Sequence, residues 1–187
     1  MSKNTQNSIP HIQLDKELLK YNLEGKWNDY IAVQKEVLQV LRNEHFFDDN
    51  IVIHKESGMI IRVTPRGIRE TFGKANRFNN LPKLLKKMKV ATILYIKTLL
   101  SNGSILADNV KNYHDTSSVA FAYISATIYI DDVLYLIRIT IKKKVNSNIF
   151  YIHHIDTKQK SPKLLKLPSG HFKRLRTFLF VVSKIFK

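Results

Sequence analysis

The chain has 187 residues, of which 44% are apolar and 25% charged, with no cysteine and a formal net charge of +16. That composition excludes an intrinsically disordered chain, disulfides and thiolate metal sites. With no apolar h-region in the opening MSKNTQNSIP, and no apolar run near the roughly 20 residues that span a bilayer, it predicts a cytoplasmic protein with no secretory signal and no transmembrane segment.

Residues 1–12 read as a polar, unstructured lead-in. A short helix is predicted over 14–21, with Leu14, Leu18 and Tyr21 on one face, ended by Gly25. A stronger helix is predicted over 27–45, where Trp27, Tyr30, Ile31, Val37, Leu38 and Leu41 recur at helical spacing. After the turn cluster Asp48-Asp49-Asn50, two short strands (51–54 and 59–63) join through Ser57-Gly58. Thr64-Pro65 opens a helix that stops near Gly73. Leu81-Pro82 opens another, reaching about Leu100, whose Lys83, Lys86, Lys87, Lys89 and Lys97 read as a solvated face. The second half is β-rich, with strands predicted over 104–107, 119–130, 133–142 and 149–155. Asp131-Asp132 sits at a tight turn. Residues 171–186 read as an amphipathic basic helix, either packed on the core or forming a tail for polyphosphate or a membrane surface.

These elements predict an α+β fold, N-terminal helices packed on an antiparallel β-meander. The expected division is a helical segment (1–48), an α+β core domain (49–157) and a basic tail with a C-terminal helix (158–187).

Charge is segregated along the same lines. Residues 1–56 hold 7 basic and 9 acidic residues, whereas 57–187 hold 24 basic and 6 acidic. So uneven a field favours a polyanion, with nucleic acid ahead of an anionic membrane or an acidic protein.

Strand register turns this into a site. A two-residue loop at Asp131-Asp132 pairs Ile130 with Val133, Ser125 with Arg138 and Tyr123 with Thr140, putting those last four side chains on one face. Ala122, Ile124, Ala126, Ile137 and Ile139 then form the core face. Pairing Lys142 with Ile149 would set Tyr151 beside Thr140 and His153 beside Arg138; a one-residue slip exchanges His153 for His154.

A face of Tyr, Thr, Arg and His is what metal-free RNA cleavage requires. One group takes the 2′-hydroxyl proton, one protonates the leaving 5′-oxygen, and a cation stabilises the phosphorane. Histidine suits the proton transfers, with an ordinary pKa of about 6.5. The candidates are His114, His153, Arg138 and Thr140 for catalysis, and Lys142, Tyr123 and Tyr151 for substrate binding, the tyrosines by stacking on bases. The plain alternative is a solvated outer sheet face. His11, His45, His54 and His171 have no partner spacing. No HxH, HxxxH or HExxH pattern, P-loop, GxGxxG or GxSxG is present, so neither metal nor cofactor is expected.

Three stretches together, GIRETFGKA (67–75), LPKLLKKMKVATILYIKTLLSNG (81–103) and NYHD (112–115), followed by a meander ending FYIHHID (150–156), resemble the large polyvalent protein-associated domains of phage and mobile-element proteins. Those are related in layout to the barnase, EndoU, colicin and RelE-like (BECR) ribonuclease group. The resemblance covers residues 51–156. It implies a BECR-like toxin or effector acting on RNA, with tRNA as a substrate, an acidic immunity or antitoxin partner, and a helical contribution from Arg69, Thr71 or Lys74. The function expected is a metal-independent endoribonuclease giving a 2′,3′-cyclic phosphate, in the cytoplasm of its own or of a target cell. The rival readings are a non-catalytic nucleic-acid-binding module and a membrane-surface or interaction protein using the C-terminal helix.

Overall fold

The computed structural model describes residues 9–110, 118–144 and 148–159, of which 109, 118, 119, 144 and 156–159 by backbone only. In chain order the elements are β1 (His11–Ile12), α1 (Leu14–Leu18), α2 (Tyr30–Asn43), β2 (Ile51–Ile53), β3 (Ile60–Arg62), α3 (Pro65–Thr71), α4 (Ala75–Asn79), α5 (Lys83–Ile93), α6 (Ile96–Asn102), β4 (Ser104–Val110), β5 (Ser118–Ile130), β6 (Val133–Lys144) and β7 (Phe150–Gln159). The fold is α+β. The expected C-terminal helix, with His171, and the NYHD loop containing His114 lie outside the described residues.

The frame is the β5–β6 hairpin. Asp131 and Asp132 both have positive φ, 47° and 61°, the left-handed pair that a two-residue turn needs to match strand twist. Ile130 therefore pairs with Val133, Ser125 with Arg138 and Tyr123 with Thr140, as expected. The Asp131 carboxylate also accepts the Leu14 N–H at 2.8 Å, fastening α1 to the turn.

Strands β5, β6 and β7 are consecutive and antiparallel, within a sheet ordered β1-β5-β6-β7-β3-β2, with β4 also on β5. Two pairings are parallel, β1 with β5 and β3 with β7. The first corrects the reading of residues 11–12 as lead-in. His11 and Ile12 pair with Tyr129 and Ile130, and the His11 ring stacks on Tyr129 at 4.3 Å.

Alternate residues of β5 and β6 face the helices. Ala122, Ile124, Ala126 and Ile128 join Ile137, Ile139 and Ile141 in one apolar cluster with Val33 and Leu41 of α2, Met88 and Val90 of α5, and Leu99 and Leu100 of α6. It includes residues on both sides of position 48. The opposite sheet face carries the polar residues of the same strands.

Several helices differ from expectation, for local reasons. Helix α2 begins three residues late because Asp29 caps it, its carboxylate accepting the Ala32 N–H at 3.0 Å. Residues 82–100 form two helices, broken at Leu94-Tyr95. Near the break the Tyr95 hydroxyl donates to Glu17 Oε1 of α1 at 3.0 Å. Burial, together with the Glu17 carboxylate, pushes this phenol up to about 12. The short α4 was not anticipated; it follows Gly73, whose φ of 75° ends α3.

Apart from Lys83, which is exposed, the lysine run is not a solvated face. Lys86 is fully buried, its ammonium bonded to Asn28 Oδ1 at 2.8 Å and lying over the Phe78 ring. Lys89 is buried and donates to the Ile155 carbonyl at 3.1 Å. Lys97 donates to the Phe46 and Asp49 carbonyls, and Lys87 pairs with Asp15. Lysine stems cover apolar surface while their ends find fixed oxygen acceptors. His54, given no role from spacing, is also buried, held between Ser57 Oγ (2.9 Å) and the Gly103 carbonyl (2.8 Å).

Gly103 sets the distance between α6 and β5. A Cβ there would lie 2.5 Å from Ile124 Cγ2 and 2.8 Å from the Leu99 carbonyl oxygen. Gly103→Ala is expected to lower stability by about 1–3 kcal/mol, the usual cost of overpacking. Urea unfolding of the two proteins checks this, and an unchanged midpoint would contradict the close approach.

Candidate nucleic-acid interface

The outer face of the sheet is organised in rows across the strands. One row runs Phe121 (β5), Lys142 (β6), Tyr151 (β7) and Arg62 (β3). The next holds Tyr123, Thr140 and His154, and the third Ser125 and Arg138, the latter paired through the backbone with residue 156. Rows two residues apart along a strand are about 6.5–7 Å apart.

This differs from the expected β6–β7 register. Lys142 pairs with Tyr151, not Ile149, so Tyr151 does not sit beside Thr140. The shift does not simply continue, because the ladder is irregular between Thr140 and Ile141, where His154 opposes Thr140 and Ile152 opposes Ile141. His153 is the extra residue of a β-bulge. Its cause is visible in burial. Ile152 and Ile155 are both in the core, leaving two residues between core positions where a regular strand has one. His153 and His154 are therefore both half-exposed, and the choice between them that strict alternation imposes does not arise.

The bulge is where α3 meets the sheet. Gly67 allows the approach, since a Cβ on it would lie 3.2 Å from the Ile152 carbonyl oxygen. One turn later Glu70 reaches the outer face. Its Oε2 accepts from Lys142 Nζ at 2.9 Å and from His153 Nδ1 at 3.2 Å, and its Oε1 from Arg66 Nε at 3.2 Å. The contacts are unequal. Lys142 is 14% exposed and its pair is shielded from water, while Arg66 is 76% exposed and belongs to the class worth about 0–1 kcal/mol. Burial opposes ionisation of Glu70, but the Lys142 and His153 hydrogen bonds, the Lys142 charge and Arg66 outweigh it and hold the carboxyl below its ordinary range. An ionised carboxylate only accepts, so His153 donates from Nδ1, and in the neutral form of the ring Nε2 is then the acceptor. Phe121 packs edge-on to the same ring, centroids 5.7 Å apart.

The other candidates are distributed as follows. Arg138 is exposed, its guanidinium 6.0 Å from the Tyr123 ring centre. Thr140 is 9% exposed in the middle row. Arg69 and Lys74 are exposed, on α3 and at the start of α4. Thr71 is buried and donates to the Ile68 carbonyl at 2.7 Å, which makes it part of the helix packing. The face thus brings together Lys142, Tyr151 and His153, with Tyr123, Thr140 and Arg138 along the adjoining rows. Sequence reasoning missed Glu70, Arg62 and Phe121. Glu70 did have a signal, as the lone acid between Glu56 and Asp108 in a strongly basic stretch. Beside α3, a depression of about 510 Å³ is lined by Tyr30, Gln34, Arg66, Arg69, Glu70 and Gly73.

The family model for the large polyvalent protein-associated domain 3 matches residues 28–151. The chain belongs to that family. The matched stretch of this large polyvalent protein-associated domain contains α2, Glu70, Arg138 and Lys142, and ends two residues before His153. No curated protein and no solved structure matches the chain. Among the described residues, no helix is long and apolar enough to cross a membrane.

Because the folded-state pKa of Glu70 is lowered, its contribution to stability is present above its ordinary value of 4.5 and is lost as pH falls through the lowered value. Glu70→Gln should therefore be less stable than the parent at pH 7, with the gap closing as pH falls below 4.5 and through the lowered folded-state value. Urea midpoints across pH 3–7 check this, and a gap independent of pH would contradict the ion-pair account.

Proposed function

We propose that this large polyvalent protein-associated domain binds single-stranded RNA on its outer sheet face and cleaves it by transesterification. The observation that carries this reading is the Glu70–His153 hydrogen bond beside Lys142, which orients an imidazole and leaves its Nε2 open for proton transfer next to a cation. In the proposed step, Nε2 of His153 takes the 2′-hydroxyl proton and the 2′-oxygen attacks phosphorus. The bond to the 5′-oxygen breaks and that oxygen is protonated, leaving a 2′,3′-cyclic phosphate and a 5′-hydroxyl. His114, the sequence candidate for the second proton transfer, lies outside the described residues and enters on the sequence alone. Lys142 has two N–H donors beyond the one spent on Glu70, and Arg138 is one row away. Both suit the phosphorane and its flanking phosphates, while Tyr123 and Tyr151 suit base stacking.

The association of such domains with phage and mobile-element proteins supports a toxin or effector role. tRNA is then the first substrate to test, and an acidic immunity or antitoxin protein the partner. A second reading is supported by the full occupancy of Glu70. A carboxylate holding Lys142, His153 and Arg66 would also pin α3 to β7 in a module that binds nucleic acid without cutting it.

The test is incubation of tRNA and unstructured RNA with the chain in EDTA, with analysis of product ends. Cyclic phosphate termini are expected, with cleavage falling by about two to four orders of magnitude in His153→Ala. Salt-sensitive retention with no cleavage would establish the binding module instead, and full activity in the double variant His114→Ala/His153→Ala would end the catalytic assignment.

A further inference from the structure

The depression between α2 and α3 shares Glu70 with the site on the sheet, and hydrogen bonds fix two of its lining side chains. Tyr30 donates its hydroxyl proton to the Gly73 carbonyl at 2.6 Å. Gln34, buried on α2, donates from Nε2 to the Tyr30 oxygen at 2.8 Å and to the Arg69 carbonyl at 3.1 Å. That network decides the orientation of the amide. The Arg69 carbonyl can only accept and the Tyr30 proton is already committed, so the donor nitrogen must face them. Gln34 Oε1 is left as a fixed acceptor with no partner among the described residues. On the rim, Arg66 and Arg69 stand three residues apart on one helix, and hence on neighbouring positions of its surface. Arg69 makes no ion pair among the described residues and is exposed. Glu70 is the shared wall, its Oε1 holding Arg66 and its Oε2 holding Lys142 and His153.

We infer that this depression is a nucleotide subsite, with a phosphate held by Arg66 and Arg69 and a base lying against Tyr30 with an amino group donated to Gln34 Oε1. The inference deepens the proposed function and rests on it for the identity of the chain that enters. The nucleotide next to the phosphate at Lys142 would lie on the far side of Glu70. The depression, about 510 Å³, is wide open to solvent. The chemistry separates a nucleotide from an acidic side chain. Both satisfy the guanidinium groups, which suit planar anions and phosphates, but a carboxylate offers no donor to an amide oxygen, whereas adenine presents its exocyclic amine. Uracil has a single ring N–H between two carbonyls, and those oxygens would face Gln34 Oε1 unfavourably.

The full chain would be titrated with adenosine 5′-monophosphate, uridine 5′-monophosphate and inorganic phosphate, followed by NMR shifts of the Gln34 side-chain amide and the backbone amides of α2 and α3. The adenine nucleotide is expected to perturb these signals and to bind at least tenfold more tightly than phosphate or the uridine nucleotide. Arg69→Ala, at an exposed position, should weaken it about tenfold with an unchanged amide spectrum elsewhere. As a measurement that needs no variant, 8-azidoadenosine 5′-monophosphate should photocrosslink to the peptide containing Tyr30. Equal affinity for phosphate and nucleotide would reduce the site to an anion patch and overturn the inference. So would undiminished nucleotide binding in Arg69→Ala, or shifts and crosslinks confined to the sheet. Failure of the parent reading is separable. Nucleotide bound at Gln34 with no RNA cleaved leaves the subsite standing and removes the cleavage. RNA cleavage whose KM is the same in Arg69→Ala leaves the cleavage standing and removes the subsite.

Discussion

The arrangement of the site depends on Ile152 and Ile155 both being buried. Three positions apart, they cannot both face inward on a strand that strictly alternates, and each brings a full aliphatic side chain into the core. Burying one such side chain is worth about 1.5–3 kcal/mol, more than the local loss of one regular ladder step. The strand therefore accommodates an extra residue, His153, and the ladder resumes with His154 opposite Thr140. Core packing thus determines that two imidazoles, not one, lie on the polar side.

The same region shows how a strongly basic chain handles its charge. Lys86, Lys89 and Lys97 do not add to a diffuse positive surface. They spend their ammonium groups on an asparagine and on backbone carbonyls, tying α5 and α6 to neighbouring segments. Glu70, by contrast, gathers Lys142, His153 and Arg66 around one carboxylate. Arg138, Arg66, Arg69 and Lys74 are exposed on or beside the outer face and α3. Among the described residues, Lys16, Lys20, Lys35, Arg42, Lys55, Arg77 and Lys83 are also exposed.

Much of this was legible from residue pattern. The Asp131-Asp132 turn and the alternation of 119–130 determined the β5–β6 register from Ile130 back to Ala120, beyond which it shifts, because a two-residue loop leaves no slack and one face must be apolar. Tyr123, Ser125, Arg138 and Thr140 follow from that alone. The β6–β7 pairing was not legible in the same way. Its connecting loop is longer, so turn chemistry does not set the register, and the bulge answers to the helices beneath.

By itself, then, the sequence determined what is local: the elements carried by short-range periodicity, the hairpin whose turn residues impose one geometry, and the excess of positive charge after residue 56. Tertiary structure decided what requires separated segments to meet. It joined Glu70 to His153 across 83 positions, buried Lys86 and Lys89, and set β1 and β3 parallel to strands far along the chain. The physical reason is that hydrogen bonds and ion pairs between distant segments depend on where the packed core brings their backbones, and no spacing along the chain encodes that distance.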